Sequence, residues 1–205
     1  PDTALAFAVA LALAAVGVMV LATNPVAAGL LALSIAFYTG VYTVWLKRRT
    51  PHNIVIGGAA GAFPPLIGWA AVTGGLDVLP LILFLIIFLW TPPHFWALSL
   101  YRADDYARAG VPMLPVVAGA ATTRRHIVGY AVVLLPVTLA PTALGLAGSG
   151  YGLGALALGV VFVLGALRVA ATRETAPAVH LFGYSIMYLA ALFALLLIDG
   201  GAAVR

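Results

Sequence analysis

Asp104 and Asp105 are the only adjacent carboxylates among 205 residues, and they follow an oily segment that carries His94. Arg102 and Arg108 flank them closely. Carboxylates are hard oxygen ligands, and Mg²⁺ characteristically keeps several waters while one or two carboxylates tie it to substrate phosphates. Adjacent residues on a helix point about 100° apart, so the two aspartates cannot form a same-face pair, and one of them is expected to be the working residue. The competing reading is local ion pairing of Asp104 with Arg108 and Asp105 with Arg102, worth roughly 0.2–0.5 kcal/mol per pair.

His94 strengthens the first reading. In a continuous helix its eleven-residue separation from Asp105 returns to within about 20° of the same face over roughly 16 Å, so the two side chains would line one wall. An ionisable residue inside a membrane is a functional candidate by default. Its alternative is a neutral ring bonded to a carbonyl freed by Pro92-Pro93. Lys47-Arg48-Arg49-Thr50-Pro51-His52-Asn53, preceded by Tyr42 and Trp45, could grip a diphosphate or a carboxylate. It could equally mark the inner end of a span. Arg124-Arg125-His126 carries the same ambiguity, with His126 at the start of a helix, while Arg168, Arg173 and His180 read as interfacial anchors. Phe95, Trp96 and Tyr101 offer ring faces to a developing cation, or a surface to lipid.

Helices in a bilayer must position these groups. The chain is 64% hydrophobic and 8% charged, far from the roughly 25% charge of soluble domains. A span needs about 20 mostly apolar residues, and seven segments qualify: Ala4–Ala22, Val26–Leu46, Ile54–Thr73, Leu79–Leu100, Ile127–Leu146, Gly152–Leu167 and Leu181–Ile198. Nothing long enough for a soluble domain remains. Numbering the loops places Lys47, Arg48, Arg49, Arg102, Arg108, Arg124, Arg125, Arg168 and Arg173 on one side, against Arg205 on the other. That side is cytoplasmic by the positive-inside rule, so the net charge of +4 reports topology and implies no nucleic acid. Cysteine is absent, which excludes disulfides, thiolate metal sites and covalent heme attachment through Cys-x-x-Cys-His. Gly57, Gly61 and Gly68 suit close helix contact, and the pairs Pro64-Pro65 and Pro92-Pro93 are expected to interrupt their spans.

Several blocks carry a family resemblance: Leu46-Lys47-Arg48-Arg49-Thr50-Pro51 with Asn53-Ile54-Val55-Ile56-Gly57-Gly58, Gly61-Ala62-Phe63-Pro64-Pro65, Trp90-Thr91-Pro92-Pro93-His94-Phe95-Trp96, and Asp105-Tyr106 with Pro112-Met113-Leu114-Pro115. In this order they closely resemble the protoheme IX farnesyltransferase (heme O synthase) family of UbiA-type intramembrane prenyltransferases. The resemblance runs the whole length and implies an all-α polytopic membrane helical bundle. It also implies a lipid-open cavity, with acidic loops that hold farnesyl diphosphate through Mg²⁺. The seven spans resemble helices three to nine of that nine-helix fold, and residues 1–205 read as a single transmembrane prenyltransferase domain. The family's first acidic motif is missing: at its spacing Asn24 meets Ala28 and Asn53 meets Gly57. With Pro1-Asp2-Thr3 at the start, the chain is expected to lack two N-terminal helices and half the metal site.

The resemblance implies transfer of farnesyl from farnesyl diphosphate to a vinyl group of heme b, heme being a substrate rather than a cofactor. It assigns Asp105, and more weakly Asp104, to the metal, and Asp105 with His94 to catalysis, His94 either orienting heme or transferring a proton. Lys47, Arg48, Asn53, Arg102, Tyr106 and Arg108 are assigned to substrate binding. The expected setting is a bacterial plasma membrane with the acidic loop facing the cytoplasm, and heme-copper oxidase assembly machinery is an expected partner. A prenyltransferase for a quinone or chlorophyll precursor, a membrane transporter, and a non-catalytic oxidase assembly factor are the alternatives. Against transport, the carboxylates gather at the surface rather than at mid-span.

Overall fold

Without water in the bilayer core, a spanning chain must satisfy its backbone donors locally, which leaves helices as the form for these apolar segments. The computed structural model describes residues 2–203, with side chains to residue 200. Pro1 and Arg205, the one basic residue expected at the far end of the bundle, lie outside the described residues. The elements are α1 (Asp2–Ala22), α2 (Pro25–Ala36), a π-helical continuation (Phe37–Leu46), α3 (Asn53–Ala62), α4 (Pro64–Thr73), α5 (Val78–Tyr101), α6 (Ala103–Arg108), α7 (Leu114–Ala143), α8 (Ser149–Ala171) and α9 (Ala176–Ala203). Among the described residues seven helical stretches are long and apolar enough to cross a membrane. The chain is an all-α polytopic membrane bundle.

Helix α5 is the hub, packing against α3, α4, α7 and α9. Ile82, Ile86, Trp96 and Ala97 of α5 join Ile127, Leu134, Phe162 and Tyr188 in the core. At one end of the bundle Asn24 caps α2, accepting from Ala27 N at 3.0 Å, and its Nδ2 donates to Ala70 O at 2.7 Å. Asp77 caps α5 by accepting from Val78 N at 2.6 Å. At the other end Arg124 of α7 donates to Arg173 O at 3.0 Å, tying that helix to the loop between α8 and α9.

The tandem prolines behave differently from each other. Pro64-Pro65 separates α3 from α4, but Phe63 keeps helical angles (φ −65°, ψ −28°); the interruption lies in hydrogen bonding rather than in chain direction. Pro92-Pro93, expected to break its span, lies inside a continuous α5. Both prolines and Thr91 are buried, and surrounding protein holds the helix where its own ladder is cut.

The α7 span also departs from expectation. It begins at Leu114 rather than near Ile127, with a kink at Gly119 (φ 80°, ψ 162°), a conformation essentially confined to glycine. His126 therefore sits within a helix and not at its start. Polar Thr122, Thr123, Arg124 and Arg125 hide the first turns from a reading based on hydropathy alone. The π-helical stretch carried no hydropathic signature either. Its i−5 pattern shows in Lys47 N donating to Tyr42 O at 2.8 Å, with Thr43 Oγ1 donating to Tyr38 O at 2.8 Å.

Of the three glycines expected at helix contacts, Gly57 alone is crowded: a Cβ there would collide with the Tyr42 ring. Gly61 and Gly68 have open space, whereas the unforeseen Gly58 abuts Thr91, with Thr91 Cγ2 at 2.9 Å from such a Cβ. Gly58→Val should therefore force α3 from α5 and lower stability by about 1–3 kcal/mol, the usual cost of overpacking. Thermal unfolding in detergent micelles should show this loss, and adding Thr91→Ala should recover part of it.

Candidate active site

Asp105 lies on the short α6, outside the membrane-spanning helices, with 47% of its side chain exposed. Arg102 Nη1 donates to its Oδ2 at 3.2 Å, and Arg108 Nη2 donates to Oδ1. The Arg108 hydrogen bond, then that of Arg102, holds the Asp105 carboxyl below its ordinary range. Asp104 is exposed and makes no ion pair among the described residues. The expected pairing of Asp105 with Arg102 is found, whereas that of Asp104 with Arg108 is corrected: Arg108 turns to Asp105, three residues before it, so both arginines converge on one carboxylate.

The shared helical wall of His94 and Asp105 is corrected too. Helix α5 ends at Tyr101, and Arg102 adopts φ −117°, ψ 20°, before α6 starts. The eleven-residue register is lost at that turn, and no hydrogen bond or ion pair joins the two side chains among the described residues. His94 instead faces α9. Its Nδ1 lies 2.6 Å from Ser185 Oγ, and its ring is sandwiched between Trp90 (centroids 4.3 Å, 19°) and Phe182 (4.6 Å, 24°). Trp90 Nε1 donates to Ser185 O at 2.8 Å. Only 8% of His94 is exposed. Sequence reasoning missed Ser185 and Phe182; the one available signal was a lone serine inside the oily α9, a residue type that often bonds across helices in lipid.

An apolar cavity of about 630 Å³ lies between the α2 and π-helical arm, α3 and α5. Tyr38, Tyr42, Gly57, Gly61, Trp90 and Phe95 are among its walls, and the volume falls in the range of small-molecule sites. Tyr42 connects this cavity to the charged end. Lys47 Nζ stands 6.0 Å from the Tyr42 ring centroid. Burial, with a smaller effect from Tyr101, raises the pKa of the half-buried Tyr106, so its hydroxyl stays a donor.

The other predicted site residues fall as follows. Arg48 is exposed at the helix end. Asn53 is fully buried; its Nδ2 donates to Thr50 O at 2.7 Å and its Oδ1 has no hydrogen-bond partner. His126 donates Nδ1–H to Thr122 O at 2.9 Å. No group of three or more His, Cys, Asp or Glu is placed to hold a metal among the described residues. Asp105 is already neutralised by two guanidinium groups, and among the described residues no further carboxylate beyond the adjacent Asp104 joins it in a metal-binding group. These donors do not compose a Mg²⁺ site by themselves.

Comparison with known proteins gives a consistent result. The UbiA prenyltransferase family profile matches residues 1–199. The protein named Protoheme IX farnesyltransferase of Acidiphilium cryptum is 56% identical over 208 residues, covering 97% of this chain and 66% of that protein. Proteins of the same name are 55% identical in Rhizorhabdus wittichii (97% and 67% covered) and 58% identical in Parvibaculum lavamentivorans (90% and 59%). The chain thus spans about two thirds of the length of the first curated relatives it matches. No solved structure matches.

The Asp105 arrangement makes a pH prediction with a definite sign. A carboxyl whose pKa is lowered by folding contributes stability above its unfolded value, and loses that contribution as pH falls through the folded value. The carboxyl ¹³C resonance of Asp105 should titrate below the ordinary 3.8. Arg108→Gln should move the midpoint upward, by more than Arg102→Gln does.

Proposed function

The chain belongs to the UbiA prenyltransferase family, and on that premise we propose that it carries out farnesyl transfer from farnesyl diphosphate to a vinyl group of heme b, with addition of water, to give heme O. The observation that carries this reading is the apolar cavity whose Tyr42 wall stands beside Lys47 at the basic helix end. Such a shape suits an amphiphile with a long isoprenoid tail and an anionic head. The names of the relatives select farnesyl and protoheme among such substrates.

In this proposal the tail lies along Tyr38, Gly61, Trp90 and Phe95, excluding water from the allylic cation. Lys47 and Arg48 supply the uncommitted positive charge for the diphosphate. Arg102 and Arg108 each give one N–H to Asp105 and retain others, since a guanidinium carries five. Tyr106 donates its hydroxyl. Asn53 is buried beneath the loop of Lys47 and Arg48 and steadies it by donating its Nδ2 to Thr50 O. A Mg²⁺ bridge remains part of the proposal, with Asp105 ahead of Asp104 on the α6 loop, but it needs further carboxylates. The basic end is proposed to face the cytoplasm of a bacterial plasma membrane by the positive-inside rule, with heme-copper oxidase assembly as the destination of the product.

The test is heme extraction and mass analysis after expression of the complete gene product with farnesyl diphosphate available. Gain of a heme bearing a hydroxyethylfarnesyl group supports the reading; an isoprenylated quinone precursor with unchanged heme overturns it. Gly61 provides a finer check, because it lines the cavity with open space around it. Gly61→Phe should fill the tail site and lower kcat/KM for farnesyl diphosphate by about 10-fold or more, while sparing the shorter geranyl diphosphate. Residues 1–205 expressed by themselves, which carry one carboxylate pair and no second acidic loop, should give no detectable transfer.

A further inference from the structure

The Ser185 hydroxyl decides the state of His94. Ser185 Oγ lies 2.5 Å from Phe182 O and 2.6 Å from His94 Nδ1. A hydroxyl has one proton, and a carbonyl oxygen only accepts, so that proton goes to Phe182 O. Ser185 Oγ must then accept at its other contact, which makes Nδ1 the protonated nitrogen. In a neutral imidazole the remaining nitrogen, Nε2, carries a lone pair. It has no hydrogen-bond partner among the described residues. Rotation cannot scramble the arrangement: Trp90 and Phe182 clamp both ring faces, Trp90 Nε1 pins Ser185 O at 2.8 Å, and Ser185 is 0% exposed.

We infer that Ser185 is a positioning residue that fixes His94 as the Nδ1–H tautomer, leaving Nε2 as the acceptor of the proton released when water adds during the transfer. This rests on the function proposed above. Diphosphate departs with the electron pair of its bond to the farnesyl C1, and the vinyl π pair forms the new C–C bond to that carbon. Water oxygen captures the cation left on the other vinyl carbon, and the proton it sheds goes to Nε2. The resulting imidazolium keeps its Nδ1–H donor on Ser185, so the same hydrogen bond serves both protonation states and nothing has to reorient.

The test combines ¹⁵N-histidine NMR with steady-state kinetics on the complete gene product, His94→Gln identifying the His94 signals among those of His52, His126 and His180. In the parent, Nε2 should show the shift of an unprotonated nitrogen. Ser185→Ala should move the proton to Nε2 and lower kcat for the hydroxyfarnesyl product by on the order of 10-fold, with KM for farnesyl diphosphate unchanged. Ser185→Thr, which keeps the hydroxyl, should restore both. A parent with protonated Nε2 overturns the inference. So does a Ser185→Ala protein with unchanged tautomer or unchanged kcat. If Ser185→Ala fails to fold, a folded Ser185→Thr protein with protonated Nε2 is equally fatal. A parent with the expected spectrum that makes no heme product would instead sink the functional reading, leaving the tautomer assignment intact.

Discussion

A polar side chain in the middle of a bilayer has no water to bond with, and leaving it unsatisfied costs several kcal/mol. The bundle meets this constraint through bonds between helices, among them the junction of α5 and α9, where His94 and Trp90 both find their partners on Ser185. The two helices are distant in sequence, so this contact can form only when most of the bundle is in place. It also lies close to Pro92-Pro93, where α5 has lost backbone hydrogen bonds of its own. The hub helix is therefore held by neighbours at the level where its internal ladder is weakest. The aromatic sandwich around His94 adds rigidity that a single hydrogen bond would not give.

The charged end follows a different logic. Arg102, Asp104, Asp105 and Arg108 sum to zero formal charge, and Asp105 is shared between two guanidinium groups. This cluster has its geometry set without accumulating charge of either sign. Lys47 and Arg48 add positive charge at the neighbouring helix end, with Lys47 beside the Tyr42 ring. Order and attraction are thus divided between two loops, one rigidified by internal pairing and the other left with free cations at a helix end.

Much of the architecture could be read from composition, because a chain this apolar can satisfy its backbone in lipid only as helices, and the charge pattern divides the loops. The seven spans, the prominence of Trp90–Trp96 and the family resemblance were legible for that reason. The His94–Asp105 wall was not, because it assumed a helix running through Arg102, and helix ends turn on one residue's dihedral angles, which periodicity does not report. Pro92-Pro93 illustrates the converse: local chemistry predicts a break, and packing on α5 overrides it. Ser185 was missed because a single serine in an oily helix looks like neutral filling until its partner on another helix is known. Gly58 and Gly61 differ only in what faces them across the bundle, which is tertiary information.

The π-helical stretch Phe37–Leu46 closes its hydrogen bonds one residue later than an α-helix does. It carries both tyrosines of the cavity wall, Tyr38 and Tyr42, with their rings 5.5 Å apart. Were the stretch to adopt the ordinary ladder, every bond would step back by one residue and Tyr42 would rotate about the axis, away from its notch at Gly57. The bore of the cavity is consequently written in backbone register. A side-chain substitution can narrow or widen it locally, but only a change in residue count within this arm would re-aim the whole wall.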